Sequence, residues 1–197
     1  MGHTQNLENE PDVTRLNEAY ALLEIDPARA VRELRLLAEQ GSLYGMLYLG
    51  WAYQKGTGTA ADAKQAEAWF RRAFEKGSKL AIYYLGHLYL QQQEYSKAHE
   101  VFAVGASMQY SPAIYCLAQM YVDGAGVSKQ PDKARALLEQ ATVLGHVFAK
   151  RSLAKLLMSG EFGFFSIFRG CSLFLGALKD GFVVGMKEDA SSDRLRA

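Results

Sequence analysis

A leucine recurs along this chain at nearly constant spacing, and that recurrence constrains the fold more than any other feature. Leu49, Leu85, Leu117 and Leu153 follow one another at intervals of 36, 32 and 36 residues. Four positions before each stands a small residue: Gly45, Ala81, Ala113 or Ala149. The next residue after each leucine is Gly50, Gly86, Ala118 or Ala154, and four positions on comes Tyr53, Tyr89, Tyr121 or Leu157. In a helix these positions share one broad face, small where a neighbour must approach and large where a gap must be filled. A period of this length is the signature of stacked supersecondary units.

A second column marks a second helix in each unit. Ala30, Ala66, Ala98, Ala134 and Gly170 are followed three and four residues later by bulky pairs, among them Trp69 with Phe70, Val101 with Phe102, Leu137 with Leu138, and Leu173 with Phe174. Ala73, Gly105, Ala141 and Ala177 restore a small residue, and Gly41, Gly77, Gly145 and Gly181 stand where a left-handed cap ends a helix. Asp26 before Pro27 and Ser111 before Pro112 read as N-caps followed by a first-turn proline.

The chain therefore reads as all-α: a partial helix–turn–helix unit near residues 12–41, then units beginning near residues 43, 79, 111 and 147. One such pair cannot bury its apolar face alone, so about five pairs are expected to stack into a right-handed α-solenoid. The expected organisation is a flexible N-terminus over residues 1–11, a single solenoid domain over 12–185 and a polar tail over 186–197.

These residues resemble the Sel1-like repeat, a relative of the tetratricopeptide repeat with a longer, glycine-bearing connection between its helices. The fullest match runs from Leu49 and Gly50 through Tyr53, Gly56, Gly58, Asp62 and Ala66 to Trp69, Phe70, Ala73 and Gly77. The unit with Tyr121, Gly124, Gly126, Val127, Lys133 and Ala134 follows the same pattern, with Gln130 where the family usually has Asp. Between them the connection shortens to Gln91–Tyr95, closer to a plain tetratricopeptide repeat, and the last unit fills its connection with Phe162, Phe164 and Phe165. The resemblance implies a non-catalytic adaptor or scaffold, of a kind found in signalling, secretion and bacterial envelope or exopolysaccharide systems. The relatives described as hydrolases are cysteine-rich and disulfide-linked, which this chain is not.

Charge and composition remove several other classes. Twenty-two Lys and Arg against 21 Asp and Glu leave a net charge of +1, without the basic excess that nucleic-acid binding uses to displace counterions. Cys116 and Cys171 form neither a disulfide framework nor a paired zinc site, and both are expected as reduced, buried thiols. His3, His87, His99 and His146 are scattered, with no spacing that brings two imidazoles to one metal. The glycine-rich turns at Lys55–Thr59 and Gly124–Val127 lack phosphate-loop spacing and fall at the same point of the repeat, so they read as turns. Without a serine elbow or a nominated carboxylate pair, neither catalysis nor a cofactor is expected. The first thirty residues carry Glu8, Glu10, Asp12, Glu18, Glu24 and Asp26 against Arg15 and Arg29 and show no signal peptide, which points to the cytoplasm. The apolar C-terminal stretch has no uncharged run longer than Gly170–Leu178, about half of the roughly 20 residues a spanning helix needs.

Two surfaces emerge as candidate sites. Residues two before, two after and five after each leucine point away from the packed face. They give rows of Leu47, Tyr83, Tyr115 and Arg151; Trp51, His87, Gln119 and Lys155; and Gln54, Leu90, Val122 and Met158. Such a face lines the concave side of a solenoid, aromatic in the middle and basic toward the C-terminus, and suits a peptide or protein with apolar anchors and an acidic flank. The alternative is that these aromatics merely close a tightly curved superhelix. The second surface is the apolar one of Phe162, Phe164, Phe165 and Phe168, more than one terminal helix buries on one side. With basic residues nearby, residues 162–186 suit a membrane surface, a second copy or a protein partner, unless the tail folds back over them. The second functional expectation is accordingly a peripheral membrane component of a bacterial envelope or exopolysaccharide assembly.

Overall fold

The computed structural model describes residues 10–193, with side chains to Leu178. Among the described residues there are ten α-helices and no strand: α1 (Val13–Ile25), α2 (Pro27–Glu39), α3 (Leu43–Lys55), α4 (Ala63–Glu75), α5 (Lys79–Gln91), α6 (Tyr95–Ser107), α7 (Ser111–Asp123), α8 (Pro131–Val143), α9 (Ala149–Met158) and α10 (Phe164–Asp193). Contacts divide into two compact units, Met1–Val104 and Gly105–Ala197. In the first, α1 packs on α2, α2 on α3, α3 on α4 and α4 on α5; in the second, α7 packs on α8, α8 on α9 and α9 on α10. Each unit is a stack of helix pairs of the α-solenoid kind.

The leucine and small-residue columns lie in the core. Leu49, Ala66, Phe70, Ala73, Ala98, Phe102, Ala134 and Leu138 are fully buried. The glycine after the leucine makes room for a ring: a Cβ on Gly50 would fall 2.5 Å from Phe70 Cε1, and one on Gly86 would fall 2.2 Å from Phe102 Cε1. In the second unit the corresponding pair is Ala118 with Leu138, a larger first residue and a smaller second one. The tyrosine column closes polar latches between pairs. Arg35 donates to the Tyr53 hydroxyl, and Arg71 Nη2 donates to Tyr89 Oη at 2.7 Å while that hydroxyl donates to Glu67 Oε1 at 2.7 Å.

The second helices end as the glycines predict. Gly41, Gly77 and Gly145 adopt φ of 102°, 96° and 78°, and Gln109 takes the same place in the short unit at φ 52°. The residue after each returns its N–H five positions back, Ser78 to Ala73 O at 3.0 Å, Tyr110 to Gly105 O at 2.9 Å and His146 to Ala141 O at 2.9 Å, a Schellman closure. The glycine-bearing connections turn at Gly56 and Gly58 (φ 73° and 71°) and at Gly124 and Gly126 (φ 74° and 70°). Gly58 also meets the start of α2 so closely that a Cβ would lie 2.1 Å from Pro27 O. These glycines serve backbone geometry and packing.

Several sequence expectations need correction. The first unit is a complete pair, α1 with α2, joined through Asp26, which caps both: its N–H bonds Leu22 O at 2.8 Å and its carboxylate accepts from Arg29 N at 3.1 Å. Ser111 is helical rather than an N-cap; the closure of α6 brings the chain into α7 one residue earlier, at Tyr110. Of the expected flexible N-terminus, residues 1–9 lie outside the described residues, and Glu10 is tied down, its carboxylate accepting from the Ser42 hydroxyl and from Tyr44 N at 3.0 Å. Helix α10 spans 30 residues, starting at Phe164 and passing through position 181 without the expected cap. Phe164 and Phe165 are therefore in the helix, not in its connection. Cys171 is exposed, whereas Cys116 is buried and its thiol is pushed up to about 12 by desolvation. The side chains from Lys179 on, Phe182–Val184 and Lys187 among them, and residues 194–197 of the expected polar tail lie outside the described residues.

Candidate functional site

The first unit gathers only part of its predicted face. Leu47 is a correction: it is 2% exposed, because α3 is packed by α1, α2, α4 and α5 at once and has no open side there. Trp51 is half-buried, and Gln54 is engaged across the unit, its Nε2 donating to Gln91 Oε1 at 2.5 Å. Tyr83 and His87 come together, with ring centroids 4.2 Å apart, and His87 meets Phe102 edge-on at 6.0 Å. Burial holds the His87 imidazole below its ordinary pKa. A tyrosine cluster lies on α1, α3 and α5 and was not read from the sequence. Tyr20 packs on Tyr48 at 4.8 Å, Tyr44 lies 6.1 Å from Tyr48, and Tyr84 stacks on Phe70 at 5.2 Å. Burial, with Tyr20, Tyr84, Tyr44 and Glu10 adding, pushes the Tyr48 phenol up to about 12. Its signal was available in the position just before each leucine, which holds Tyr48 and Tyr84.

The second unit contains a cavity of about 750 Å³ that joins five of the predicted residues. Gln119 and Val122 line it from α7, and Arg151, Lys155 and Met158 from α9. Phe174 of α10 and Lys129 of the connection between α7 and α8 complete it, two residues that no row of the first helices contains. The volume falls within the range of sites that enclose a small ligand or a few side chains. Arg151 and Lys155 are exposed one turn apart on α9, and neither has an ion-pair partner among the described residues. Two like charges at this spacing repel each other mildly, so the arrangement favours an anion between them. Phe148 lies beneath the Arg151 guanidinium, 5.7 Å from ring centroid to Cζ. Asp123 and Glu161 also line the cavity, against Lys129, Arg151 and Lys155.

Tyr115 does not line this cavity. It stacks on His146 at 4.3 Å, and its hydroxyl lies 3.3 Å from Ser152 Oγ. Burial lowers the His146 pKa as well. On α10, Phe164, Phe165 and Phe168 are 67%, 87% and 61% exposed, whereas Phe162 is half-buried beneath Arg135, 5.4 Å from ring centroid to Cζ. Among the described residues no three His, Cys, Asp or Glu side chains gather closely enough to hold a metal ion, and no helix is long and apolar enough to cross a membrane.

Residues 43–78 and 111–146 match the family model of the Sel1 repeat. These two stretches are Sel1 repeats. In both matched repeats, α3 with α4 and α7 with α8, the connection carries a pair of left-handed glycines. Solved structures agree on the Sel1 architecture. The protective antigen c5321 of uropathogenic Escherichia coli, which displays an SLR fold, is 25% identical with a TM-score of 0.69 over 85% of this chain and 38% of its own length. This chain therefore spans well under half of that antigen. A Sel1 repeat protein from Oxalobacter formigenes is 22% identical with a TM-score of 0.70, over 83% of this chain and 69% of that one. MamA from Desulfovibrio magneticus RS-1 is 20% identical with a TM-score of 0.56, over 84% and 92%. The last two likenesses are of fold alone. Sel1 and related repeats are typical of protein-interaction adaptors and are generally non-catalytic.

Proposed function

We propose that this Sel1-repeat protein is a non-catalytic cytoplasmic adaptor that holds a partner's peptide segment in the cavity between α7, α9 and α10. The observation that carries this reading is Arg151 and Lys155, without an ion-pair partner among the described residues, standing one turn apart over a cavity whose apolar part is Val122, Met158 and Phe174. An extended segment with one aliphatic or aromatic anchor and a carboxylate two or three residues away matches both halves. The anchor fills the apolar part, and the carboxylate takes the charge-assisted hydrogen bonds that the guanidinium and ammonium leave unmade. In the first unit, Trp51, Tyr83 and His87 offer a separate aromatic contact surface. Membership of an envelope or exopolysaccharide assembly, which the family resemblance implies, would be one setting for such an adaptor.

The test is a displayed random-peptide selection against the whole chain, with the winners measured by fluorescence anisotropy. Selected peptides should combine an apolar anchor with Asp or Glu. Arg151→Ala and Lys155→Ala should each weaken them about 5- to 30-fold, the range for truncating one charged contact, and more weakly at high salt. Peptides without acidic residues, or affinities indifferent to both substitutions, would remove the reading.

A further inference from the structure

Helix α10 carries a second apolar stripe that the packing of its own unit leaves uncovered. Three other second helices are packed by the helix that follows them, α2 by α3, α4 by α5 and α8 by α9. Among the described residues no helix follows α10. Its Gly170 side lies against α9, where a Cβ would fall 2.7 Å from Met158 Cγ and 2.9 Å from Ala154 O. Phe164, Phe168, Cys171, Leu175 and Leu178 are spaced four, three, four and three residues apart, with Phe165 beside them; the phenylalanines and leucines are turned away from that side, and Cys171 lies at the edge of the stripe, its Sγ 3.7 Å from Met158 Sδ of α9. Phe164, Phe165, Phe168, Leu175 and Leu178 are between 54% and 87% exposed, and Cys171 is exposed. Alternation of three and four is the seam by which two helices pack side by side.

We infer that this seam is an interface between two copies of the chain, α10 packing antiparallel on α10. The area is sufficient: at 150–250 Å² per aromatic side chain the stripe exposes on the order of 600 Å², or about 1,200 Å² for two copies, the lower edge of stable interfaces. The seam is also complementary to itself in one direction only. Its first half is phenylalanine and its second half leucine, so an antiparallel pair sets large against small along its whole length, while a parallel pair would set phenylalanine on phenylalanine. A head-to-tail contact with α1 matches poorly, because Thr14, Asn17, Glu18 and Glu24 are exposed there. Lipid also fits poorly. The one charged residue among the described side chains of α10 is Arg169, and its Nη2 lies 3.3 Å from Glu139 Oε1 rather than free for a headgroup.

Sedimentation velocity on the full chain across micromolar concentrations reads the equilibrium directly. The inference expects a dimer that dissociates in the micromolar range, and a Phe165→Glu/Phe168→Glu variant that is monomeric throughout, its dissociation constant raised by roughly 100-fold or more. Both side chains are largely exposed, so the variant should keep its circular dichroism, and Leu175→Glu supplies an independent break at the other half of the seam. Cys171 lies midway between Phe164 and Leu178, so in an antiparallel pair the two thiols come near the twofold axis. Mild oxidation by copper phenanthroline should then give a covalent dimer that Cys171→Ser abolishes. A monomeric wild type, or a dimer that survives both substitutions, would overturn the inference. A dimer that does not cross-link through Cys171 would overturn the antiparallel arrangement. Binding of a monomeric wild type to phosphatidylcholine–phosphatidylserine vesicles, lost in the Phe165→Glu/Phe168→Glu variant, would assign the stripe to lipid instead.

Discussion

Gly86→Ala should destabilise the first unit even though alanine is the better helix former. In an unencumbered helix the substitution gains about 1 kcal/mol. Here the added Cβ would lie 2.2 Å from both Cε1 and Cζ of Phe102, whose side chain is fully buried. The ring has no open space to move into, so overpacking should cost about 3 kcal/mol, leaving a net loss of roughly 2 kcal/mol. Phe102→Leu alone leaves part of a ring's volume empty and should cost about 1–2 kcal/mol. Together the two recreate the pairing of Ala118 with Leu138. The double variant should therefore be no less stable than Gly86→Ala, a coupling of about 1–2 kcal/mol against additivity. Urea unfolding followed by far-UV circular dichroism and tryptophan fluorescence measures it, and Trp51 and Trp69 both report on the unit that carries Gly86. Additive losses within about 0.5 kcal/mol, or a Gly86→Ala variant more stable than wild type, would refute the claim that glycine here is a seat for the ring.

Three further outcomes follow from the same packing. Gln109→Gly should stabilise the chain by about 1 kcal/mol, seen as a higher melting temperature, because Gln109 sits at φ 52° where the other units use glycine. Tyr89→Phe should cost about 1–2 kcal/mol in denaturant unfolding, since it removes a hydroxyl that donates to Glu67 and accepts from Arg71 inside the unit. Burial depresses the His87 and His146 pKa values, so their stabilising contribution is present above the unfolded value and is lost as pH falls through the folded ones. Unfolding free energy should drop between about pH 7 and 5, and a His87→Gln/His146→Gln variant should show a shallower drop.

The fold was legible where every unit must solve the same packing problem. A small residue, a leucine, another small residue and a tyrosine recur because one helix must admit its neighbour at each of those points. The first pair was half-hidden for a physical reason. The seventh position of α1, where α3, α5 and α7 place leucine, holds Ala19, and the third holds Arg15, which pairs with Glu33 at 2.6 Å. Leu47 was misread because helical periodicity gives a direction but not the number of neighbours waiting there. Gln119, Arg151 and Lys155 line the cavity from positions two residues either side of the repeated leucine, while Lys129 and Phe174 reach it from other elements, which no single helical row contains. The run of α10 through position 181 was hidden by a glycine that elsewhere ends the second helix.

Affinity capture from a lysate of the source organism tests the adaptor reading most directly, with wild type compared against an Arg151→Ala/Lys155→Ala variant of unchanged helicity. The account predicts a defined protein held by wild type, depleted at least about tenfold on the variant, and displaced by a peptide from that protein carrying an apolar anchor beside an acidic residue. The same protein retained equally by both chains would contradict it, because binding would then owe nothing to the basic pair over the cavity.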